Sequence, residues 1–90
     1  MASKMILDIK NQKGLHARAS AKFVEVCEKY KATATVSKDG ESAGGDSIMG
    51  LLMLAASKGT QIEVETDGPE AEELAQALRD LVDGLFGEGV

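Results

Sequence analysis

The stretch ATATVSKDGESAG, residues 32–44, decides the architecture. Two short runs of strand-forming residues flank Asp39-Gly40, and that dipeptide is a strong hairpin signal because glycine tolerates positive φ. An antiparallel pair in mid-chain needs further strands to complete a sheet, and the flanks supply them. Upstream, Met5, Leu7 and Ile9 alternate with Ile6, Asp8 and Lys10, a strand with one mainly apolar face. Downstream, TQIEVET (residues 60–66) alternates again, with Ile62 and Val64 inward and the glutamates outward.

Helical periodicity fills the gaps. Residues 17–29 place Ala19, Phe23, Val26/Cys27 and Tyr30 at helical spacing, with Lys22, Glu25, Glu28 and Lys29 mostly on the other side. Gly44-Gly45-Asp46 breaks the hairpin. Ser47 then opens a short apolar helix, SIMGLLMLAAS (residues 47–57), which Gly59 closes. After a turn at Asp67-Gly68, Pro69 suits the first position of a last helix, and Glu70, Glu72 and Glu73 suit its first turn. Ala71, Leu74, Leu78, Leu81 and Leu85 keep one face of that helix apolar. The order is β-α-β-β-α-β-α in a single domain over residues 1–90. Four strands and three amphipathic helices pack most economically as two layers, so an antiparallel α+β sandwich is expected, with the helices on one face of the sheet.

Composition narrows the function. The net charge of −5 argues against nucleic acid, where a basic face supplies affinity. The charge is uneven: residues 1–60 hold nine Lys/Arg against six acids, whereas residues 61–90 hold Arg79 against nine acids. No stretch approaches the roughly 20 apolar residues that span a bilayer, so no membrane insertion is expected. One cysteine cannot form an internal disulfide, and a reducing cytoplasm is the expected location. Cys27 itself reads as a small apolar core residue.

The only histidine lies in NQKGLHARASAKFVEV, residues 11–26, at the mouth of the first helix. The first helical turn has free backbone N–H groups, and with the helix dipole they form an anion site beside the imidazole. Arg18 adds a forked donor suited to phosphate oxygens. That combination suits a histidine receiving a phosphoryl group. One His and one Cys do not supply the three or four ligands zinc requires, and no Ser or Cys stands in a nucleophile motif beside a base. Neither a metal nor any cofactor is expected.

KGLHARASAKFVEVCEKYKATATV, followed by SIMGLLMLAASKGTQIEVETDGPEAEEL, resembles the HPr-type phosphocarriers of the bacterial phosphoenolpyruvate phosphotransferase system over essentially the whole chain. The resemblance implies an open-faced β-sandwich, a four-stranded antiparallel sheet under three helices. It implies a phosphocarrier, not an enzyme in its own right, with His16 accepting phosphate at Nδ1 from enzyme I. His16 would donate it to an EIIA-type protein or domain, for sugar uptake, nitrogen-type regulation or both. Arg18 matches the family's phosphate-site arginine, and the N–H groups of Ala17 and Arg18 would hold phosphoryl oxygens. Ser47 matches a serine that an HPr kinase phosphorylates in some members. Ile48, Met49 and Leu52 match docking residues, near His16 and ringed by Lys13, Arg18 and Lys22. A monomer is expected. One position departs: the motif usually reads His-Ala-Arg-Pro, and Ala19 stands where proline is usual, so a looser phosphate site is expected. The rival reading is an interaction module that binds partners through the 47–55 helix patch without carrying phosphate.

Overall fold

The hairpin forms where Asp39-Gly40 places it. In the computed structural model, which describes residues 2–88, β2 (Thr33–Lys38) and β3 (Glu41–Gly44) pair antiparallel, with Ser37 opposite Ser42. Asp39 and Gly40 both have positive φ, 52° and 83°, the conformation a two-residue hairpin turn with right-handed strand twist demands. The other elements are β1 (Ala2–Asp8), α1 (Ala17–Glu28), α2 (Ile48–Met53), β4 (Gln61–Asp67), α3 (Ala71–Asp83) and a closing 3-10 turn (Leu85–Gly87).

The sheet order is β1-β4-β2-β3, antiparallel throughout. Val64 of β4 lies between Met5 of β1 and Val36 of β2, and Ile62 faces Leu7. These alternating residues turn to the helical layer, where Phe23, Leu51, Leu74, Leu78 and Val82 are fully buried against them. The opposite face is open, with Lys4, Ile6 and Asp8 of β1 exposed along it. This is the open-faced α+β sandwich expected, its helices confined to one side.

The structure corrects three details of the helices. The helix expected over residues 47–57 ends at Met53, because the chain turns left-handed at Ala55, which has φ 52° and is exposed. Three-residue bonds from Leu54 N–H to Leu51 O and Ala55 N–H to Leu52 O tighten its last turn. The chain then swings so that Ala56 O accepts from Leu15 N–H at 2.8 Å, which fixes the approach to α1.

The last helix starts at Ala71, so Pro69 lies ahead of it and Glu70 is its cap residue rather than part of its first turn. The Glu70 carboxylate instead accepts from Lys31 N–H at 2.7 Å, binding the α1–β2 connection to α3. That helix ends at Asp83, so Leu85 is outside it, and Val82 takes the buried position. Beyond Gly84 the chain folds back through left-handed Leu85 and Phe86, φ 57° and 53°, and buries the Phe86 ring completely.

Cys27 is a buried core residue. Burial pushes its thiol up from the ordinary 9.0 to about 12, with the charges of Asp46 and Glu28 adding to the effect. The neutral thiol is therefore favoured by folding. Its contribution to stability is complete below pH 9.0 and is lost as pH rises toward about 12, where the unfolded chain ionises first. Native protein at pH 8 is expected to react with an aromatic disulfide far more slowly than protein unfolded in guanidinium. Equal rates would contradict the burial argument.

Candidate functional site

Four segments converge on His16. The first is the loop Asn11–Leu15. Gly14 has φ +65°, and a Cβ there would lie 2.3 Å from Ala56 O, so only glycine lets the loop lie against the chain after α2. Asn11 is fully buried and its Nδ2 donates to Gly14 O at 2.8 Å, closing the loop on itself. Its Oδ1 finds no donor among the described residues.

The second is the start of α1. His16 is the extended N-cap residue, and its carbonyl accepts from Ser20 N–H at 2.8 Å. Its side chain makes no capping bond, so the first-turn amides of Ala17 and Arg18 are left without a side-chain acceptor. Arg18 is exposed and makes no hydrogen bond or ion pair among the described residues. Ala19 is fully buried in a regular first turn, so alanine in the usual proline position leaves the helix start intact.

The third is the chain after α2, where Ala55, Ala56 and Ser57 share with His16, Lys13 and Leu15 a shallow cavity of about 200 Å³. The fourth is the C-terminal segment. Glu88 Oε1 accepts from Asn11 Nδ2 at 3.0 Å, and Glu88 Oε2 pairs with His16 Nε2. The Asn11 hydrogen bond is the main cause holding the Glu88 carboxyl below the usual carboxylate range; burial opposes it, and His16 and Lys13 reinforce it. Between Glu88 and the basic residues Lys13, Arg18 and Lys22 lies a cleft of about 310 Å³ that His16 also lines. One half-buried nitrogen heterocycle thus stands at a helix N-terminus, between the Glu88 carboxylate and the cations Lys13, Arg18 and Lys22, in an open cleft. Such an arrangement can accept an anion at its basic wall.

His16, Ala17, Arg18, Lys13 and Lys22 all come to this end of the molecule. Lys22 is half-buried and its Nζ donates to Phe86 O at 2.6 Å, so its first task is to hold the C-terminal segment. The α2 residues are distributed differently. The C-terminal end of α2 leads into Ala55–Ser57 beside His16, and Ser47 caps the other end. Ser47 Oγ accepts from Gly50 N–H at 3.0 Å. Ile48 is 40%, Met49 70% and Met53 75% exposed, whereas Leu52 is half-buried. Replacing Ser47 with alanine is expected to lower stability by about 1 kcal/mol through loss of the cap, while Ser47→Asp retains most of it. Urea midpoints of the two variants measure this directly. Among the described residues, no three His, Cys, Asp or Glu side chains are grouped to hold a metal ion.

Asn11 and Glu88 were not apparent as site residues in the sequence. Asn11 carried a weak signal, since an asparagine three residues before a glycine suits a closed turn. Glu88 carried none of its own. Phe86, an aromatic near the chain end, was the only hint that the segment turns inward.

Comparison with known proteins agrees with this geometry. Residues 4–83 match the family model described as the PTS HPr component phosphorylation site. The phosphocarrier protein HPr of Neisseria meningitidis serogroup A is 51% identical over 86 residues, covering 96% of this chain and 97% of that protein. The phosphocarrier protein NPr of Escherichia coli is 38% identical over 89 residues, covering 98% of this chain and 99% of that one. The crystal structure of HPr-C-His from Thermoanaerobacter tengcongensis superposes with a TM-score of 0.93 at 36% identity, covering 98% of this chain and 99% of that one. The chain therefore belongs to the HPr family, phosphocarriers of the phosphotransferase system that convey a phosphoryl group and are not enzymes themselves.

Proposed function

We propose that His16 is the residue that carries the phosphoryl group, taking it from enzyme I and yielding it to an EIIA-type protein in the cytoplasm. The observation that carries this reading is the position of the imidazole at the N-cap of α1, beside amides that no side chain caps. Ala17 and Arg18 N–H groups and the Arg18 guanidinium bind the phosphoryl oxygens, and the helix dipole offsets the dianion. The site remains open to solvent and partners, so the group is held loosely enough to move on.

Exposed Ile48 and Met49, with half-buried Leu52 and exposed Met53, form the apolar part of the docking face, and Lys13 and Arg18 its basic rim. Methionine suits a surface that accepts several partners in turn. Phosphorylation of Ser47 by an HPr kinase would place charge beside this patch and oppose docking of an acidic partner. A nitrogen-branch and a sugar-branch EIIA, offered in turn to the phosphorylated protein, distinguish the two routes by which one is phosphorylated.

The direct test is intact mass after incubation with enzyme I and phosphoenolpyruvate, repeated after mild acid. One added phosphoryl group that acid removes supports a phosphohistidine. No addition with a competent enzyme I moves the weight to a binding module that acts through the 47–55 patch alone.

A further inference from the structure

We infer that Glu88 is a positioning residue for phosphoryl transfer: its carboxylate fixes the proton of His16 on Nε2 and so presents the lone pair on Nδ1. The inference rests on His16 being the acceptor.

The argument starts from hydrogen-bond roles. An ionised carboxylate only accepts, so the ring nitrogen it contacts must carry the hydrogen. Glu88 pairs with Nε2, and Nδ1 has no hydrogen bond among the described residues. The Asn11 amide keeps Glu88 ionised by donating to its other oxygen at 3.0 Å. The carboxylate is also held in place from behind. Phe86 is buried completely two residues earlier, and Lys22 Nζ grips the Phe86 carbonyl at 2.6 Å. The ordering of the tail is thus supported by contacts outside the ring, and Glu88 meets His16 with little freedom left to lose.

The step balances without further reagents. The Nδ1 lone pair forms the bond to phosphorus while the bond from phosphorus to the donor's leaving atom breaks, its electron pair departing with the donor. The Nε2 proton stays where it is. The ring becomes a phosphoryl-imidazolium whose positive charge faces Glu88, as a carboxylate orients and supports a histidine in a charge-paired dyad. On transfer to the next acceptor the electrons return to Nδ1 and the same tautomer is restored. The cleft that His16 and Glu88 line together with Lys13 and Arg18 is where the phosphoryl oxygens are received, on its basic wall.

Nitrogen NMR of the full-length protein, with the imidazole neutral, reads the tautomer without any partner. The wild-type ring is expected to show Nε2 as the N–H nitrogen and Nδ1 as the lone-pair nitrogen. Glu88→Ala is expected to mix the two tautomers and to slow phosphoryl acceptance from enzyme I by about tenfold, the scale of losing an orienting outer partner. Glu88→Gln keeps an acceptor oxygen but not the charge, so it should restore the tautomer and recover only part of the rate. Ring shifts unchanged in Glu88→Ala would overturn the inference. So would faster acceptance, which would make Glu88 a competitor of the phosphoryl group. If wild-type protein acquires no phosphoryl group at all, the carrier reading of His16 fails, while the nitrogen shifts still decide what Glu88 does.

Discussion

Replacing His16 with alanine is expected to leave a folded protein that acquires no phosphoryl group from enzyme I. The side chain contributes no helix cap, and its carbonyl, which alanine retains, makes the bond that starts α1. Apart from the loss of the Glu88 contact, stability should therefore change little. The chemistry should vanish entirely, because the chain has no second histidine and an amide or hydroxyl does not replace an imidazole lone pair. Intact mass should show no added phosphoryl group under conditions that convert the wild type, with a denaturant midpoint close to the wild-type value. A His16→Ala protein that still gains an acid-labile phosphoryl group would transfer the carrier role elsewhere.

The second large effect is structural. Gly14→Ala is expected to cost about 2–4 kcal/mol, the sum of placing a side chain at positive φ and of forcing atoms into a packed contact. The atoms that a Cβ would meet are Ala56 O at 2.3 Å and Ser57 Cα at 2.8 Å, both backbone, so no rotamer change relieves the overlap. The Leu15 N–H to Ala56 O bond joins the same two segments and would have to lengthen. In a domain of this size the loss corresponds to a fall of roughly 10–25 °C in Tm. Because Leu15 leads directly into His16, acceptance of phosphate should weaken in the protein that remains folded. A variant melting within two or three degrees of wild type would show that the loop yields easily.

The sheet and the position of His16 at the mouth of α1 were legible in the sequence because local chemistry specifies them. Alternation of Met5, Leu7 and Ile9, the Asp39-Gly40 turn, and Ile62 and Val64 each declare a strand within a few residues. The end of α2 was not legible, since Leu54-Ala55-Ala56 has excellent helix propensity. Ala55 turns left-handed because Ala56 is needed to pair with Leu15, a partner far away in sequence. The same holds for Glu88. Its meeting with Asn11 and His16 joins opposite ends of the chain, and no periodicity encodes a contact of that kind.

The position of β4 between β1 and β2 has a consequence for synthesis. A nascent chain that has emerged only as far as α2 possesses the β2–β3 hairpin and an unpaired β1. The central strand that joins them is the last of the four to be made. β1 therefore cannot join the hairpin before β4 has been made. The four-stranded sheet is complete only once Gln61–Asp67 is free to pair with both β1 and β2, and α3 follows it in the chain to cover it.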